Sequence, residues 1–207
     1  MTFILYSPSE SLIVMTEPTP EKVKAIFDRY YNADISLWTE FARYIEVRTL
    51  KKGNTVKDYN KTEKFINILV SGSVAHFVKS EDKDICINIY YENQVFSDYL
   101  SFLTQTPTII KTECLEDSQI WSVKHHDLHT LYAKSSKSLF IGKAISEIMF
   151  IRKQSEQINL LSLSPKDRYL KLIKERPEIV QRTSLKIIAS YLGITPESLS
   201  RIRKKLS

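Results

Sequence analysis

The chain has 207 residues, room for one large domain or two small ones. Hydrophobic residues make up 43% and charged residues 26%, a balance that argues against disorder. No apolar run reaches the roughly 18 residues needed to span a bilayer. The opening Phe3-Ile4-Leu5-Tyr6 is too short for a signal-peptide core, so a cytoplasmic protein without membrane contact is expected. The net charge of +6 is unevenly spread: residues 150–207 hold 13 Lys/Arg against 5 Asp/Glu, and the remainder holds 17 against 19. A mildly acidic body joined to a basic tail suggests a sensing or assembly domain next to a polyanion-binding one.

Two cysteines, Cys86 and Cys114, stand far apart and read as reduced, half-buried strand residues. An iron–sulfur cluster needs about four thiolate ligands and is excluded within one chain. The four glycines, Gly53, Gly72, Gly142 and Gly193, are each expected to mark a backbone conformation that other residues resist.

In chain order, residues 1–20 form a loose N-terminal extension, in which Met15 opens a more ordinary-looking start than Met1. Residues 21–47 carry helical periodicity through Val23, Ile26, Phe27 and Tyr30, then Ile35, Trp38, Phe41, Ala42 and Ile45. From about 48 to 124 the pattern changes to short runs rich in Val, Ile, Tyr, Phe and Thr. Phe65–Val70, Ser73–Val78, Ile85–Tyr90 and Ile120–Val123 are examples, separated by turn-like segments such as Lys51-Lys52-Gly53-Asn54. Such spacing predicts an antiparallel barrel or sandwich, with a short helix at 99–103 interrupting it. Helical periodicity returns over 127–163, with room for one break.

Within that last stretch Ala144, Ile148, Ile151, Ser155 and Ile158 recur with steps of four and three, a heptad-like seam. A helix packing on its own sheet would also produce apolar rows, but a second row, Ile141, Ile145 and Met149, is free to serve that core. The seam is therefore read as a dimer contact. Ser164-Pro165 is an N-cap followed by proline at the first helical position, which starts a new helix and marks a hinge.

The segment from Leu185 to Lys204 fits a helix-turn-helix. Ile188 and Leu192 give the first helix its apolar face, and Ala189 is small where the second helix crosses. Gly193 supplies a left-handed residue, Ile194 plugs the turn, Thr195 is an N-cap and Pro196 fits the first helical position. Leu199 and Ile202 hold the second helix inward. Its outer face offers Glu197, Ser198 and Arg201 to base edges, while Ser184, Thr195, Arg203, Lys204 and Lys205 are placed for phosphates. An ordinary helical hairpin with a solvated basic end would not need cap, glycine, small residue and apolar spacing together.

Over residues 35–207 the sequence resembles the Crp–Fnr transcription regulators. The most specific part is Arg168-Tyr169-Leu170 through Arg176-Pro177-Glu178 to the run Ile188–Arg201, which looks like the branch common in Bacteroidetes-type bacteria. More loosely, Leu50-Lys51-Lys52-Gly53 and Ile68-Leu69-Val70-Ser71-Gly72 are similar to the start of the family's cyclic-nucleotide-binding β-roll. The resemblance implies an α+β fold: an N-terminal antiparallel, jelly-roll-like β-roll with flanking helices over 21–126, a long central dimer helix over 127–163, and an all-α helix-turn-helix domain over 164–207. It implies a homodimer on double-stranded DNA, with RNA polymerase and an unidentified small molecule as further partners, and it places base reading on Glu197 and Arg201.

Two departures stand out. The family's best-known members carry a β-hairpin wing after the recognition helix, and little or no wing is expected here. The family's phosphate cassette has Gly-Glu followed by Arg-Ser/Thr-Ala, whereas this chain has Ser97, Asp98 and, in place of the arginine, Thr108 followed by Ile109 and Ile110. Lys111 is the nearest cation in sequence and should face the other side of its strand. The pocket is thus degenerate, unsuited to cyclic AMP, and expected to take an apolar or uncharged ligand or none. Two other readings compete with this one. One is a sensor module in which the β-roll ligand is primary and DNA binding secondary. The other is an enzyme or metal site at His125-His126-Asp127-Leu128-His129, but that run lacks a third convergent ligand. No catalytic residue, metal or cofactor is expected.

Overall fold

The computed structural model describes residues 16–28, 30–81 and 83–206. Residues 1–15, and with them most of the expected extension, lie outside the described residues. The first helices are α1 (Pro20–Phe27) and α2 (Ile35–Ala42). Thr19 caps α1 by accepting from the Lys22 amide, with Pro20 at the first helical position. The helical row expected to include Ile45 ends earlier, because the chain passes into β1 at Glu46.

Among the described residues eight strands follow: β1 (Glu46–Leu50), β2 (Thr55–Lys57), β3 (Phe65–Ser71), β4 (Val74–Lys79), β5 (Asp84–Tyr90), β6 (Val95–Phe96), β7 (Ile110–Cys114) and β8 (Ser118–Lys124). They form two antiparallel four-stranded sheets, ordered β1-β8-β3-β6 and β2-β7-β4-β5. Helix α3 (Tyr99–Thr104) interrupts them where a short helix was expected. Leu69, Val74, Tyr90, Phe96, Cys114 and Ile120 fill the space between the sheets.

Both sheets are covered on their outer faces as well. Against the first pack α1, α2 and the central helix, in a cluster containing Phe27, Trp38, Ile68, Trp121 and Ile141. Against the second packs the C-terminal domain, and Ala75, Phe77, Cys86 and Ile89 share one cluster with Leu172, Ile179, Ile188 and Leu199. Two-sided burial explains why β3 and β4 read as nearly continuous apolar runs rather than alternating ones. It also makes Cys86 and Cys114 fully buried, beyond the half-burial expected, and both thiols are free.

The central helical stretch is broken. Helix α4 (His125–Lys134) and helix α5 (Ser136–Ser162) meet at Ser135, which is extended at φ −147° and caps α5 by accepting from the Ser138 amide. Gly142 corrects the reading of the glycines. Gly53, Gly72 and Gly193 have positive φ, but Gly142 is helical, and a Cβ there would lie 2.3 Å from the Tyr132 hydroxyl. Close packing of α4 on α5 requires it, not backbone conformation.

Four helices complete the chain: α6 (Pro165–Glu175), α7 (Pro177–Arg182), α8 (Leu185–Tyr191) and α9 (Pro196–Lys204). Ser164 caps α6 as expected, accepting from the Asp167 amide at 3.2 Å. Arg168 pins the hinge, donating to the Leu160 and Leu163 carbonyls at the end of α5 and to the Leu192 carbonyl at the end of α8. Polar contacts ring the apolar junction with the sheet. Arg182 bridges Glu92 and Glu116 at 2.7 and 2.6 Å, Arg176 donates to the Ile89 carbonyl, and the Cys86 amide donates to the Ser190 hydroxyl. The edge strand β5 is thereby covered by α8, which removes an open pairing edge.

One cluster spans sheet and helices, so the two should unfold together. Leu199→Ala, which truncates a side chain with no exposed surface, is expected to cost about 2–5 kcal/mol. Denaturant titration followed by the fluorescence of Trp38 and Trp121, both outside the C-terminal domain, should report the loss as a lower midpoint. An unchanged tryptophan midpoint would show that the two parts unfold independently.

Candidate nucleic-acid interface and interior pocket

Helices α8 and α9 are joined by the turn Leu192-Gly193-Ile194-Thr195. Gly193 has φ +68°, its amide donates to the Ser190 carbonyl, and the Ile194 amide donates back to Ala189. Ala189 is fully buried beneath the crossing, beside Ile188, Leu192 and Leu199. Thr195 caps α9 as expected, accepting from the Ser198 amide, and Ser184 caps α8 by accepting from the Ile187 amide, a role the sequence reading did not assign it. Capping is the observed work of both hydroxyls, and both residues remain exposed at the helix starts.

With Leu199 buried and Ile202 half-buried, α9 turns Glu197, Ser200, Arg201 and Lys204 to solvent. Glu197, Arg201 and Lys204 lie four and three apart and share one face. Arg203 and Lys205 extend the basic end, and both are exposed. Ser198 is half-buried and accepts from Thr195 and Arg201 at 3.1 and 3.3 Å, which draws the Arg201 guanidinium toward the first turn. The Glu197 carboxyl is held below its usual range by its own backbone amide, then by the Thr195 hydroxyl and Arg201. The helix thus offers an ionised acceptor and a guanidinium side by side at its start, with cations further along.

On α5 the expected seam is exposed: Ile148 is 41%, Ile151 63% and Ile158 60% exposed, Ser155 is exposed, and Ala144 is half-buried. The second apolar row faces inward, with Ile141 buried and Ile145 packed on the same cluster. The His125 and His129 rings lie with centroids 4.3 Å apart and are tilted by 42°, and burial followed by its histidine neighbours lowers the His125 pKa. Among the described residues no three His, Cys, Asp or Glu side chains are grouped to hold a metal.

Two of the four residues expected to line the degenerate pocket, Asp98 and Thr108, converge around a cation the sequence reading missed. Lys57 Nζ donates to Asp98 Oδ2 at 2.7 Å, to Thr108 Oγ1 at 2.9 Å and to the Ile110 carbonyl at 2.8 Å. Thr108 also donates to Asp98. The pair is sealed, with the Lys57 side chain 4% and that of Asp98 0% exposed. Asp98 further caps α3 through the Ser101 amide, and Ser97 donates to the Phe65 carbonyl. Ile109 departs from expectation. It is 61% exposed, because Ile110 begins the strand and Ile109 falls in the bend before it. Lys111 does face outward, paired with Asp84 and Glu113, but the nearest cation in space is Lys57. Sequence distance hid it, since Lys57 reaches Asp98 across 41 positions.

The space between the sheets beyond this pair is also occupied. His76 bonds the Ser97 carbonyl and the Thr112 hydroxyl and stacks edge-on with Tyr90. Burial lowers the His76 pKa to about 4, so the ring is neutral near pH 7. From α5, Arg152 lies over the Tyr90 ring and donates to Asn88 Oδ1 and to Glu156, and Glu156 accepts from the Tyr191 hydroxyl of α8.

A β-roll whose sheets are backed by a long helix and whose chain closes in a helix-turn-helix is the architecture of the Crp/Fnr regulators, and comparison with solved structures bears this out. FixK2 from Bradyrhizobium japonicum superposes with a TM-score of 0.67 at 16% identity, covering 78% of this chain and 84% of that one. CLP from Xanthomonas campestris, a c-di-GMP-responsive global regulator, gives 0.66 at 17% identity over 84% and 91%. A protein from Eubacterium rectale described as a transcriptional regulator of the Crp/Fnr family gives 0.66 at 14% identity over 87% of each chain. At these identities the likeness is one of fold. No protein-family model and no curated protein matches the sequence. Among the described residues no helix is long and apolar enough to cross a membrane.

Proposed function

We propose that this chain is a sequence-specific transcription regulator that binds double-stranded DNA as a homodimer, and that its β-roll does not answer to cyclic nucleotides. The observation that carries the proposal is α9, a capped helix crossing a fully buried alanine, with Glu197, Arg201 and Lys204 on one exposed face. In this reading Glu197, Ser198 and Arg201 meet base edges, and Ser184, Thr195, Arg203, Lys204 and Lys205 meet phosphates. The run Ile188–Arg201 supports placement in the Bacteroidetes-type branch of the Crp–Fnr family. Removing the Arg201 fork should cost about 1–3 kcal/mol at the operator, since alanine makes no bidentate bond to guanine. Lys204→Ala should weaken all sequences alike and lower the salt slope by about one unit. Retention of genomic fragments by the purified protein supplies the operator, and competition with random DNA then measures both effects. Unchanged discrimination in Arg201→Ala would remove Arg201 from the base-reading role.

Dimerisation is supported by the exposed row Ile148, Ile151 and Ile158, beside a face of α5 already used by the chain's own core. Half-sites would then lie roughly 34–36 Å apart on a pseudo-palindrome. Ile148→Glu should yield a monomer, because two carboxylates would meet in an apolar seam. Light scattering checks this, and a wild-type monomer at micromolar concentration would overturn it.

Insensitivity to cyclic nucleotides rests on the sealed Lys57–Asp98 pair. A buried phosphate needs its own cation and donors, and here Lys57 is already committed to Asp98, Thr108 and the Ile110 carbonyl. Titration calorimetry with cyclic AMP and cyclic GMP should give no binding heat at millimolar ligand. A micromolar dissociation constant for either would count against this reading.

A further inference from the structure

With the interior of the β-roll occupied, the apolar space of the molecule lies elsewhere. A cavity of about 340 Å³ sits between the first sheet and helices α1 to α5, with Phe27, Trp38, Phe41, Phe102, Tyr132 and Ile145 among its walls. Its volume is at the lower end of the roughly 300–1,000 Å³ typical of small-molecule sites. Among the described lining residues only Lys143 carries a formal charge, and its ammonium is paired with Glu147. Water gains few hydrogen bonds in such a space, and an unfilled void forfeits the packing contacts of its walls.

The cavity has a polar handle. The Tyr132 hydroxyl stands against Gly142 of α5, where a Cβ would lie 2.3 Å from it, and it makes no hydrogen bond among the described residues. Burial pushes its pKa up to about 12, so it is a neutral donor near pH 7. Three other hydroxyl residues line the cavity, Tyr99, Ser138 and Ser146, and the hydroxyls of Tyr99 and Ser146 are bonded to each other at 2.6 Å. Among the α5 residues that line the cavity, Gly142 and Ser146 point away from the row Ala144, Ile148 and Ile151 at about 100° per residue, while Ile141 and Ile145 lie beside that row.

We propose that this cavity is a binding site for an uncharged, largely apolar small molecule bearing one hydrogen-bond acceptor, which Tyr132 engages. A bound molecule would touch both α4 and α5 at their closest approach, and so would report to the helix read as the dimer contact. Binding itself does not depend on the DNA reading.

Prodan, an uncharged naphthyl ketone with a carbonyl acceptor, is a suitable probe. Titrated into the full chain, its emission should brighten, shift to the blue and saturate at one site per chain. Tyr132→Phe keeps the ring and removes the donor, and should weaken binding about three- to tenfold. Ile145→Phe narrows the cavity and should weaken binding by more than about tenfold. Because Ile145 also packs in the core, Leu103→Trp at the 57% exposed rim is the second narrowing variant, with far-UV circular dichroism confirming that each variant is folded. Absence of saturable binding, or equal affinity in wild type and all three variants, would overturn the proposal. Operator retention measured on the same samples separates the two readings: loss of DNA binding with Prodan binding intact would strike only the DNA reading.

Discussion

The need to cover the outer face of the second sheet organises the rest of the molecule. Ala75, Phe77, Cys86 and Ile89 present an apolar surface on β4 and β5, and exposing it would cost roughly 25 cal/mol for each Å². Helices α6 to α9 are amphipathic and too short to be stable alone. Each part supplies the surface the other lacks. The helix-turn-helix is therefore part of the same core as the β-roll rather than a bead on a linker. Arg168 holds the hinge by three carbonyls, and Arg182 closes the rim between two carboxylates.

That docking orders α8 and α9 without reaching the outer face of α9. Leu199 is spent inward, while the 197, 201 and 204 positions stay in solvent. The polar chain from Asn88 and Tyr90 through Arg152 and Glu156 to Tyr191 ties the inside of the roll to α5 and then to α8. Changes in the roll therefore have a physical route to the helix pair, through the half-exposed Arg152–Glu156 ion pair.

Lys57 turns the pocket region into a closed structural unit. A buried ammonium and carboxylate in contact are costly to desolvate, and breaking one partner costs more than keeping both. Asp98 caps α3 and holds Lys57, so helix start and ion pair stand or fall together. Solved structures of the same architecture differ widely in sequence, with 14 to 17% identity.

How much could be read before folding depended on distance along the chain. Caps, the left-handed Gly193, the small Ala189 and the apolar steps of α9 act within a few residues of one another, so the sequence alone determined the helix-turn-helix and its exposed face. The strand runs of β3, β4, β5 and β8 were legible for the same reason, since composition and turn residues are local. Tertiary structure decided what depends on long closures. Lys57 meets Asp98 across 41 positions and Arg182 meets Glu92 across 90. Ile109, the break at Ser135 and the packing role of Gly142 were decided there too. Local propensity registers neither a partner's approach nor a neighbour's bulk, because both come from segments that only folding brings together.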